Sequence, residues 1–448
     1  MSEWCFTTLG ENILEIVDRR GVTPLKLGSD FTNSGYQVIS AKLVKGSRID
    51  LNADVPRFVD SITYKKWMSG PLQSDDVILT SEAPLGEVAY VKDTSHWCLG
   101  QRLFAIRTNK STLHGRYLFY ALTSQSVKNA LQARATGTTV VGIRQSELRK
   151  LPILLPPIHE QKAIAHILGT LDDKIDQLRK TNTVLEDMAS ALFKSWFVDF
   201  DPVKAKQENR PTGLPKDLDD LFPDSFEDST LGPIPTGWRV GCVGDVASIT
   251  KGTTPTQQDL SEAITDSSDV NFLRVNAISN EGVALLEKLT RIPTSVHVGV
   301  LKRSVLQSYD ILYSIAGTIG RTCIVEPWIL PANTNQALAI IRCISGVPVG
   351  WLHRHLTSST VSDGINSSVV QAVQANVSLT TLAKVRLAIP PASTFVIYEQ
   401  IASMDQRVYS NRSQIRILTN LRDTLLPKLI SGDLRVPEAE QMVAELGL

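Results

Sequence analysis

The chain has 448 residues, and its 46 lysines and arginines equal its 46 aspartates and glutamates. This length allows about two to four domains, and the balanced charge excludes a polycation, so any nucleic-acid contact must come from local patches. The five cysteines form no C-x-x-C pair, which argues against a zinc ribbon or a disulfide framework. We see no signal peptide and no apolar run near the ~18 residues that span a membrane, so we expect a cytoplasmic protein with reduced thiols.

Residues 1–157 are predicted to form a globular part of the α/β type. Short runs rich in Val, Ile and Thr, such as DVILTS at residues 76–81, are separated by turn residues, as is typical of strands. A helix is predicted near RYLFYALTSQSVKNALQA, at residues 116–133. Pro156 and Pro157 then break the chain before a long helical pattern.

Residues 158–200 are predicted to form a long central helix with a coiled-coil seam. From Ile164 to Trp196 the seam positions alternate steps of four and three, which is the heptad pattern. At 1.5 Å per residue, some 35 residues give a helix of roughly 50 Å. The seam includes Leu171, Leu178, Asn182 and Leu185.

Residues 201–237 are predicted to be an extended linker that lies outside any core. The segment holds six prolines in an acidic setting, from Pro202 to Pro235. Proline removes a backbone donor and favours extended conformations, so this composition is typical of a spacer rather than of packed structure.

The second half of the chain repeats the first at an offset of 234 residues. The offset carries Trp4 to Trp238, Asp76 to Asp310, Gly86 to Gly320 and Pro156-Pro157 to Pro390-Pro391. One register kept over most of a half-chain indicates a tandem duplication of one large unit. The prediction is a second globular part at 238–391, a second long helix at 392–434 and a tail at 435–448. The seam of this second helix includes Met404, Asn411 and Leu418.

The predicted fold class is α+β, with two homologous α/β domains joined by two long antiparallel coiled-coil helices. Two copies that bury the same seam against each other are expected to obey a pseudo-two-fold axis. That arrangement sets Asn182 opposite Asn411, and a buried amide needs such a partner. Arg422 interrupts the second seam, so we expect that end to be splayed or solvated. Packing of each long helix on its own globular part is the alternative.

Motifs for catalysis are absent from the sequence. There is no G-x-x-x-x-G-K-[ST] loop, no G-x-G-x-x-G after a strand, and no Asn/Asp-Pro-Pro-aromatic run of an amino-methyltransferase. His353 and His355 lie two apart on a predicted helix and point to different sides, while His159 and His166 have no companion ligands. We therefore expect no catalytic, metal or cofactor site. A self-sufficient enzyme, which would need a methyltransferase domain, is the alternative.

Polar side chains gather in the predicted turns of both globular parts and indicate contact with DNA. Arg, Lys, Asn and Gln read base edges, while Ser, Thr and Lys suit phosphates. Residues 1–157 hold 19 basic and 14 acidic residues, an excess that fits a local DNA-facing patch. An ordinary solvated loop is the alternative for each residue. The candidates are Lys42, Lys45, Arg48, Lys65, Lys66, Arg134, Thr138, Thr139 and Arg144 in the first part, and Lys251, Thr254, Arg274, Asn276, Ser314, Thr318, Arg321, Asn335 and Gln336 in the second.

Several stretches resemble the specificity subunits of type I restriction-modification enzymes, and the resemblance covers nearly the whole chain. The most specific stretches are LPPIHEQKAIAHILGTLDDKID, LEDMASALFKSWFVDFDPV, GLPKDLDDLFPDSFEDSTLGPIPTGW and LRDTLLPKLISGDLRV. LYSIAGTIG and NTNQ are also typical, in the second part only. The first part has LTSEAPLGEV and CLGQR instead, and the second long helix starts with PPASTFVIYEQ, a longer gap than the usual PP-x-x-EQ.

The resemblance implies that each globular part is a target-recognition domain, which reads one half of a split, asymmetric DNA site. The two helices would hold the halves apart and dock partners. The implied partners are double-stranded DNA, two methyltransferase subunits that use S-adenosylmethionine, and restriction and translocase subunits that use ATP and Mg. The chain itself would carry no catalysis, no cofactor and no membrane contact. A scaffold or regulatory protein that binds methyltransferase subunits without its own sequence readout is the alternative.

Overall fold

The structure, a computed structural model, describes residues 4–137, 140–263, 267, 269–359, 361, 365 and 376–445. The chain divides into two compact units. Unit 1 comprises Met1–Leu178 and Gln414–Leu448, and unit 2 comprises Arg179–Ser413. Each unit therefore contains one globular part and a portion of each long helix.

The globular part of unit 1 consists of short strands and short helices in alternation. Its strands are β1 Cys5–Thr8, β2 Ile13–Asp18, β3 Tyr36–Ile39, β4 Val44–Lys45, β5 Arg48–Ile49, β6 Phe58–Val59, β7 Val77–Thr80, β8 Val88–Tyr90, β9 Cys98–Leu99, β10 Leu103–Thr108 and β11 Pro152–Leu155. Its helices are α1 Ser61–Trp67, α2 Gly115–Thr123, α3 Gln125–Ala133 and α4 Gln145–Arg149.

The central sheet of this part has the order β2-β10-β7-β8 and is antiparallel throughout. Successive residues of each strand face opposite sides of the sheet. Val77 and Leu79 belong to the core beneath α2 and α3, whereas Ile78 belongs to a second core beside β3 and β9. A smaller sheet, β6-β3-β9, and the pair β1-β11 complete the part.

Unit 2 repeats this architecture. Its strands are β14 Arg239–Cys242, β15 Ala247–Lys251, β16 Val270–Leu273, β17 Thr290–Ile292, β18 Ile311–Ser314, β19 Thr322–Ile324, β20 Ala332–Thr334, β21 Leu338–Cys343 and β22 Arg386–Ile389. The sheet orders β15-β21-β18-β19, β17-β16-β20 and β14-β22 correspond to the orders β2-β10-β7-β8, β6-β3-β9 and β1-β11 of unit 1. The predicted tandem duplication is therefore confirmed at the level of topology.

Each unit also keeps an ion pair between a buried aspartate, directly before the third strand of its central sheet order, and an arginine of the second strand. Asp76 is 1 % exposed and accepts hydrogen bonds from Arg107 at 3.0 and 2.8 Å. The hydrogen bonds and the charge of Asp76 raise the pKa of Arg107, although partial burial of Arg107 opposes this. Asp310, also 1 % exposed, accepts two bonds of 2.7 Å from Arg342. A buried carboxylate needs such a partner, so the duplication has preserved the pair along with the strands.

The expectation of an extended linker at 201–237 was wrong. This segment contains α6 Asp201–Gln207, α7 Lys216–Asp219 and the strand pair β12 Phe226–Glu227 with β13 Ile234–Pro235. Val203, Phe222 and Ile234 lie in the core of unit 2. Proline is compatible with this folding because Pro202 stands in the first turn of α6, where a missing backbone donor costs nothing.

The remaining helices of unit 2 are short and sit between its strands. They are α8 Val243–Val246, α9 Gln257–Glu262, α10 Thr294–Val298, α11 Val349–Thr357 and α12 Leu379–Ala383.

The long helices are α5 Ile158–Phe197 and α13 Tyr398–Ser431, and α14 Val436–Ala444 follows. A turn of 3-10 helix at Ala392–Ile397 replaces the first predicted turn of the second long helix.

The predicted seam faces inward within each unit. Leu171, Leu178 and Leu418 are buried in the core of unit 1. In unit 2 the Asn411 amide donates a hydrogen bond of 2.8 Å to Asn182 Oδ1, so the predicted asparagine contact is confirmed. Leu185 and Met404 are half-buried. The seam residues serve packing in both units, and Phe197 lies against Tyr398 at the other end of the unit 2 contact.

The expected splaying at Arg422 was wrong. Arg422 Nη1 donates a hydrogen bond of 2.7 Å to Asp172 of α5 in unit 1. Asp172 also accepts a bond of 2.7 Å from the Tyr120 hydroxyl. A charge at a seam position is tolerated when a carboxylate on the facing helix compensates it.

Candidate nucleic-acid interface

The candidate residues of unit 2 meet where four strands end. We call the residues at and just after the ends of β15, β16, β18 and β20 edge 2. Strands β16 and β20 are parallel, and Thr334 Oγ1 donates to the Leu273 carbonyl at 3.0 Å. Backbone bonds from Thr253 to Thr334 and from Ile315 to Ala337, both 2.9 Å, bring the other two strand ends to the same place.

Edge 2 presents mainly amide and hydroxyl groups to solvent. The Thr254 hydroxyl donates a hydrogen bond to Gln336 Oε1, and both residues are exposed. Gly252 allows this approach, since a Cβ there would lie 2.2 Å from the Asn335 carbonyl oxygen. Asn335 is half-buried, and its Oδ1 is itself buried and has no hydrogen-bond partner among the described residues, so the groups presented to solvent here are those of Thr254 and Gln336. Such a site can pair with the donor and acceptor groups of base edges.

The other candidates of edge 2 divide into exposed and structural residues. Lys251, Arg274, Asn276 and Thr318 are exposed. Ser314 is fully buried, and its hydroxyl accepts a bond of 2.8 Å from the Arg321 backbone within the turn after β18. Arg321 is half-buried and donates to the Ile278 carbonyl at 3.1 Å. Ser314 therefore shapes the turn, and its burial removes it from a DNA-facing surface.

Unit 1 has the equivalent edge at the ends of β2, β3, β7 and β9, which we call edge 1. The Gly100 backbone donates to the Ile39 carbonyl at 2.8 Å, and Ser81 donates to the Arg102 carbonyl at 2.8 Å. A cleft of about 610 Å³ lies along this edge. Its charged lining consists of the cations Lys42, Arg57 and Arg102 and the carboxylates Asp30 and Asp54.

Only some predicted residues of unit 1 belong to edge 1. Lys42 lines the cleft, and Arg144 follows Ile143, whose backbone donates to Ser81 at 2.9 Å. Lys45 and Arg48 face each other across the β4–β5 hairpin. The remaining placements are as follows: Lys65 and Lys66 are exposed on α1, Arg134 is half-buried at the end of α3, and Thr138 and Thr139 lie outside the described residues.

Sequence reasoning missed Arg20, Arg57 and Arg102. Arg20 stands 4.3 Å above the Phe104 ring and is held by Asp18, and Arg57 lies 5.4 Å from the Phe31 ring. The 234-residue repeat contained a signal for Arg20, because it is the counterpart of Thr254. Arg102 could have been found from the match of QRLFAIR with QALAIIR, which is one residue out of step with that offset, since Arg102 follows Gln101, the counterpart of Gln336 in that match.

The cations of edge 1 lie beside carboxylates. Arg102 is 3.1 Å from Glu82, and Lys42 is 3.3 Å from Asp54. The Val55 backbone and Lys42 both lower the pKa of the Asp54 carboxyl. Exposed pairs of this kind contribute little to stability, so their cations can be redirected to phosphates or base edges.

The described residues contain no cluster of three His, Cys, Asp or Glu side chains that could hold a metal ion. His355 is buried between Phe193 and Trp351, and burial lowers its pKa to about 3. His353 lies 3.0 Å from Thr322 Oγ1, and burial with nearby Arg354 and Arg412 lowers its pKa to about 4. Both imidazoles are thus neutral packing groups. Among the described residues, no helix has the length and apolar character of a membrane span.

Comparisons with known proteins agree with this architecture. Residues 1–187 and 235–417 match the family model "Type I restriction modification DNA specificity domain", one match for each half of the duplication. The chain is 24 % identical over 369 residues to the type I restriction enzyme MjaIX specificity subunit of Methanocaldococcus jannaschii, covering 81 % of this chain and 78 % of that one. It is 24 % identical over 403 residues to the HindI specificity subunit of Haemophilus influenzae, covering 80 % and 86 %.

A solved structure shares the fold. The type I restriction-modification S subunit from M. genitalium superposes with a TM-score of 0.58 at 15 % identity, and the alignment covers 95 % of this chain and 96 % of that one. The family match extends over most of the chain and over both globular parts. The chain therefore belongs to the type I restriction-modification DNA specificity family.

Proposed function

We propose that this chain is the specificity subunit of a cytoplasmic type I restriction-modification complex, and that each globular part reads one half of a bipartite DNA site. The observation that carries the proposal is the pair of equivalent edges. Both are built at the ends of the same strands, but they expose different side chains. One scaffold with two different surfaces suits two different half-sites.

Energetics favours two readers over one. A mismatched base pair costs about 1–3 kcal/mol, so a single domain that reads a few base pairs discriminates poorly against the competing sites of a genome. Two domains held at a fixed distance add their discrimination. Arg and Lys of edge 1 suit guanine or phosphate, and the amides of edge 2 suit adenine.

The long helices are proposed to form an antiparallel pair that sets the distance between the half-sites. Support comes from the paired asparagines in unit 2 and the Arg422–Asp172 pair in unit 1, which each fix the helix register locally. On this proposal the two globular parts are related by a pseudo-two-fold axis. A helix pair of roughly 50 Å corresponds to between one and one and a half turns of DNA, at ~34–36 Å per turn.

The long helix α5 also offers a surface for partner subunits. Val184 is 57 % exposed and Met188 49 %, and Ala191, about one turn further along α5, is exposed as well. These residues follow heptad spacing on a face distinct from the buried seam. We propose that methyltransferase subunits, which would bring S-adenosylmethionine, dock on this stripe, and that restriction and translocase subunits, with ATP and Mg, join the same complex.

Reconstitution with the methyltransferase subunits of the same organism tests the readout. The complex should methylate one bipartite motif, read by modification-sensitive sequencing. Gln336→Ala should relax only one half of that motif, and Gln406→Ala, a matched exposed glutamine on α13, should relax neither. Equal binding of specific and scrambled DNA by the wild-type complex would favour a scaffold without its own readout.

Two further changes test the helices. Inserting four residues near Asn182 breaks the heptad phase and should change the spacer while the bases of each half-site stay the same. Val184→Asp with Met188→Asp should abolish co-elution with the methyltransferase subunits while leaving the unfolding midpoint near that of the wild type. Thr183→Asp, on a different face of α5, should preserve co-elution. An unaltered spacer in the insertion variant would refute the proposed spacing role.

A further inference from the structure

The two globular parts attach to the long helices at equivalent positions within their own units. In unit 1 the Tyr120 hydroxyl of α2 donates to Asp172 of α5 at 2.7 Å. In unit 2 Arg354 of α11 donates to Asp405 of α13. Tyr120 and Arg354 are related by the 234-residue offset, and Asp172 and Asp405 by an offset of 233 residues. The attachment therefore has a shared anchor.

Beside this anchor, the charges are reversed. Lys92 in unit 1 donates to Asp173 at 2.7 Å and to Asp176 at 2.8 Å, both on α5. Partial burial opposes the charge of Lys92, but these two bonds raise its pKa above the ordinary value. The counterpart of Lys92 is Glu326, which accepts a bond of 3.4 Å from Arg412 on α13.

The equivalence of positions 92 and 326 is secured by backbone hydrogen bonds. Val91 donates to the Asp76 carbonyl at 3.0 Å, and Val325 donates to the Asp310 carbonyl at 2.8 Å. Glu326 is 6 % exposed and also accepts a bond of 3.0 Å from Trp328, so its carboxylate is held in place. A cation and an anion thus occupy the same place in two copies of one fold.

The sizes of the contacting residues are reversed as well. In unit 1 the Arg116 guanidinium lies over Gly169 of α5, and a Cβ on Gly169 would be 2.6 Å from Arg116 Cζ. The counterpart of Arg116 is Gly350, and a Cβ there would be 2.2 Å from the hydroxyl oxygen of Tyr398 on α13. The bulky residue lies on the globular part in unit 1 and on the long helix in unit 2.

We infer that Lys92, Arg116, Glu326 and Gly350 specify which globular part packs on which long helix, so that the order of the two parts is fixed by these contacts as well as by chain connectivity. In the reverse order, Lys92 would face Arg412, and Arg116 would collide with Tyr398. Glu326 would face Asp173 and Asp176. Like charges at these distances repel, and a side chain at the Gly350 position has no space.

Charge reversal in unit 1 tests the inference in the natural chain. Lys92→Glu should lower the midpoint of thermal unfolding by about 2–4 °C, more than Lys92→Gln does, because repulsion adds to the lost attraction. Lys92→Glu with Asp176→Lys should recover most of the loss, since Asp173 stays paired with Arg116 at 2.8 Å. Lys128→Glu, an equal charge change at an exposed position of α3, is the control and should have little effect.

Exchange of the two globular parts within the full chain tests the order itself. One variant carries the plain exchange, and the other adds Lys92→Glu, Arg116→Gly, Glu326→Lys and Gly350→Arg. The corrected variant should unfold at a temperature several degrees higher. Equal midpoints in the two exchanged chains, or equal effects of Lys92→Glu and Lys92→Gln in the natural chain, would overturn the inference. If neither exchanged chain folds, the charge-reversal series decides. None of these readouts depends on DNA binding.

Discussion

Edge 1 and edge 2 are the same place in two copies of one fold, yet they expose different chemistry. Edge 1 presents arginines and a lysine beside carboxylates, such as Arg102 with Glu82. Edge 2 presents mainly amides and hydroxyls, such as Thr254 bound to Gln336, together with exposed Lys251 and Arg274. The strands beneath both edges keep the same order and the same buried Asp–Arg pair. Duplication has therefore preserved the scaffold while the residues at the strand ends diverged, which is the difference on which the proposed two-part readout rests.

The largest expected effect comes from replacing one edge entirely. Exchanging residues 1–157 for the equivalent part of another family member should change one half of the methylated motif and leave the other half unaltered. Each mismatched base pair costs about 1–3 kcal/mol of binding free energy. Because several base pairs of the half-site change, the preference for the original motif over the new one should shift by orders of magnitude. Modification-sensitive sequencing of DNA that the reconstituted complex has methylated measures the change in the motif. A change in both halves would show that the edges do not act independently.

The shared scaffold should respond alike in both units. Arg107→Leu and Arg342→Leu each leave a buried aspartate without its partner, and each should lower the free energy of unfolding by about 3 kcal/mol. Chemical denaturation measures the two losses. Arg149→Leu, at the end of α4, serves as the control and should cost much less. Clearly unequal losses for Arg107 and Arg342 would argue that the scaffold has diverged as well as the edges.

Acid should destabilise unit 2 through a residue that unit 1 lacks. Burial lowers the pKa of His355 to about 3, and the unfolded value is about 6.5, so the unfolded state binds more protons between these values. The stabilising contribution is complete above pH 6.5 and is lost as the pH falls, by about 2 kcal/mol at pH 5. The counterpart of His355 is Ala121.

Denaturation of wild type and His355→Leu between pH 7.5 and about pH 5 checks this. The His355→Leu variant should lose part of the pH dependence of its unfolding free energy. Phe119→Leu, a substitution in unit 1 close to the counterpart position Ala121, should keep that dependence. An unchanged slope for His355→Leu would contradict a buried neutral imidazole.

The smallest expected effects separate the two edges by their charge. Arg102→Ala and Gln336→Ala should each cost about 1–3 kcal/mol of discrimination against a wrong base. Only Arg102→Ala should reduce the salt dependence of DNA binding, by about one unit of slope, because glutamine releases no counterions. Binding titrations over a range of salt concentrations measure both. Glu82→Gln should strengthen binding at edge 1 by freeing Arg102, and weaker binding would contradict the proposed role of that pair.

The sequence by itself determined the repeat, the two long helices and the contact of Asn182 with Asn411. The repeat and the helices are periodic, so heptad steps and a nearly constant offset are enough to place them, and the asparagine contact follows once the two copies are taken to obey a two-fold axis. The 234-residue offset also relates residues of edge 2 to residues of edge 1, for example Thr254 to Arg20.

Only the tertiary structure decided which polar residues meet. Thr254 and Gln336 are 82 residues apart in the chain and come together because β15 and β20 end at one edge. Ser314 is buried, Arg422 is compensated by Asp172, and residues 201–237 supply Phe222 to a core. Composition cannot show these outcomes, because burial and pairing depend on residues that are distant in the chain and are brought close only by the packing of the sheet and helices.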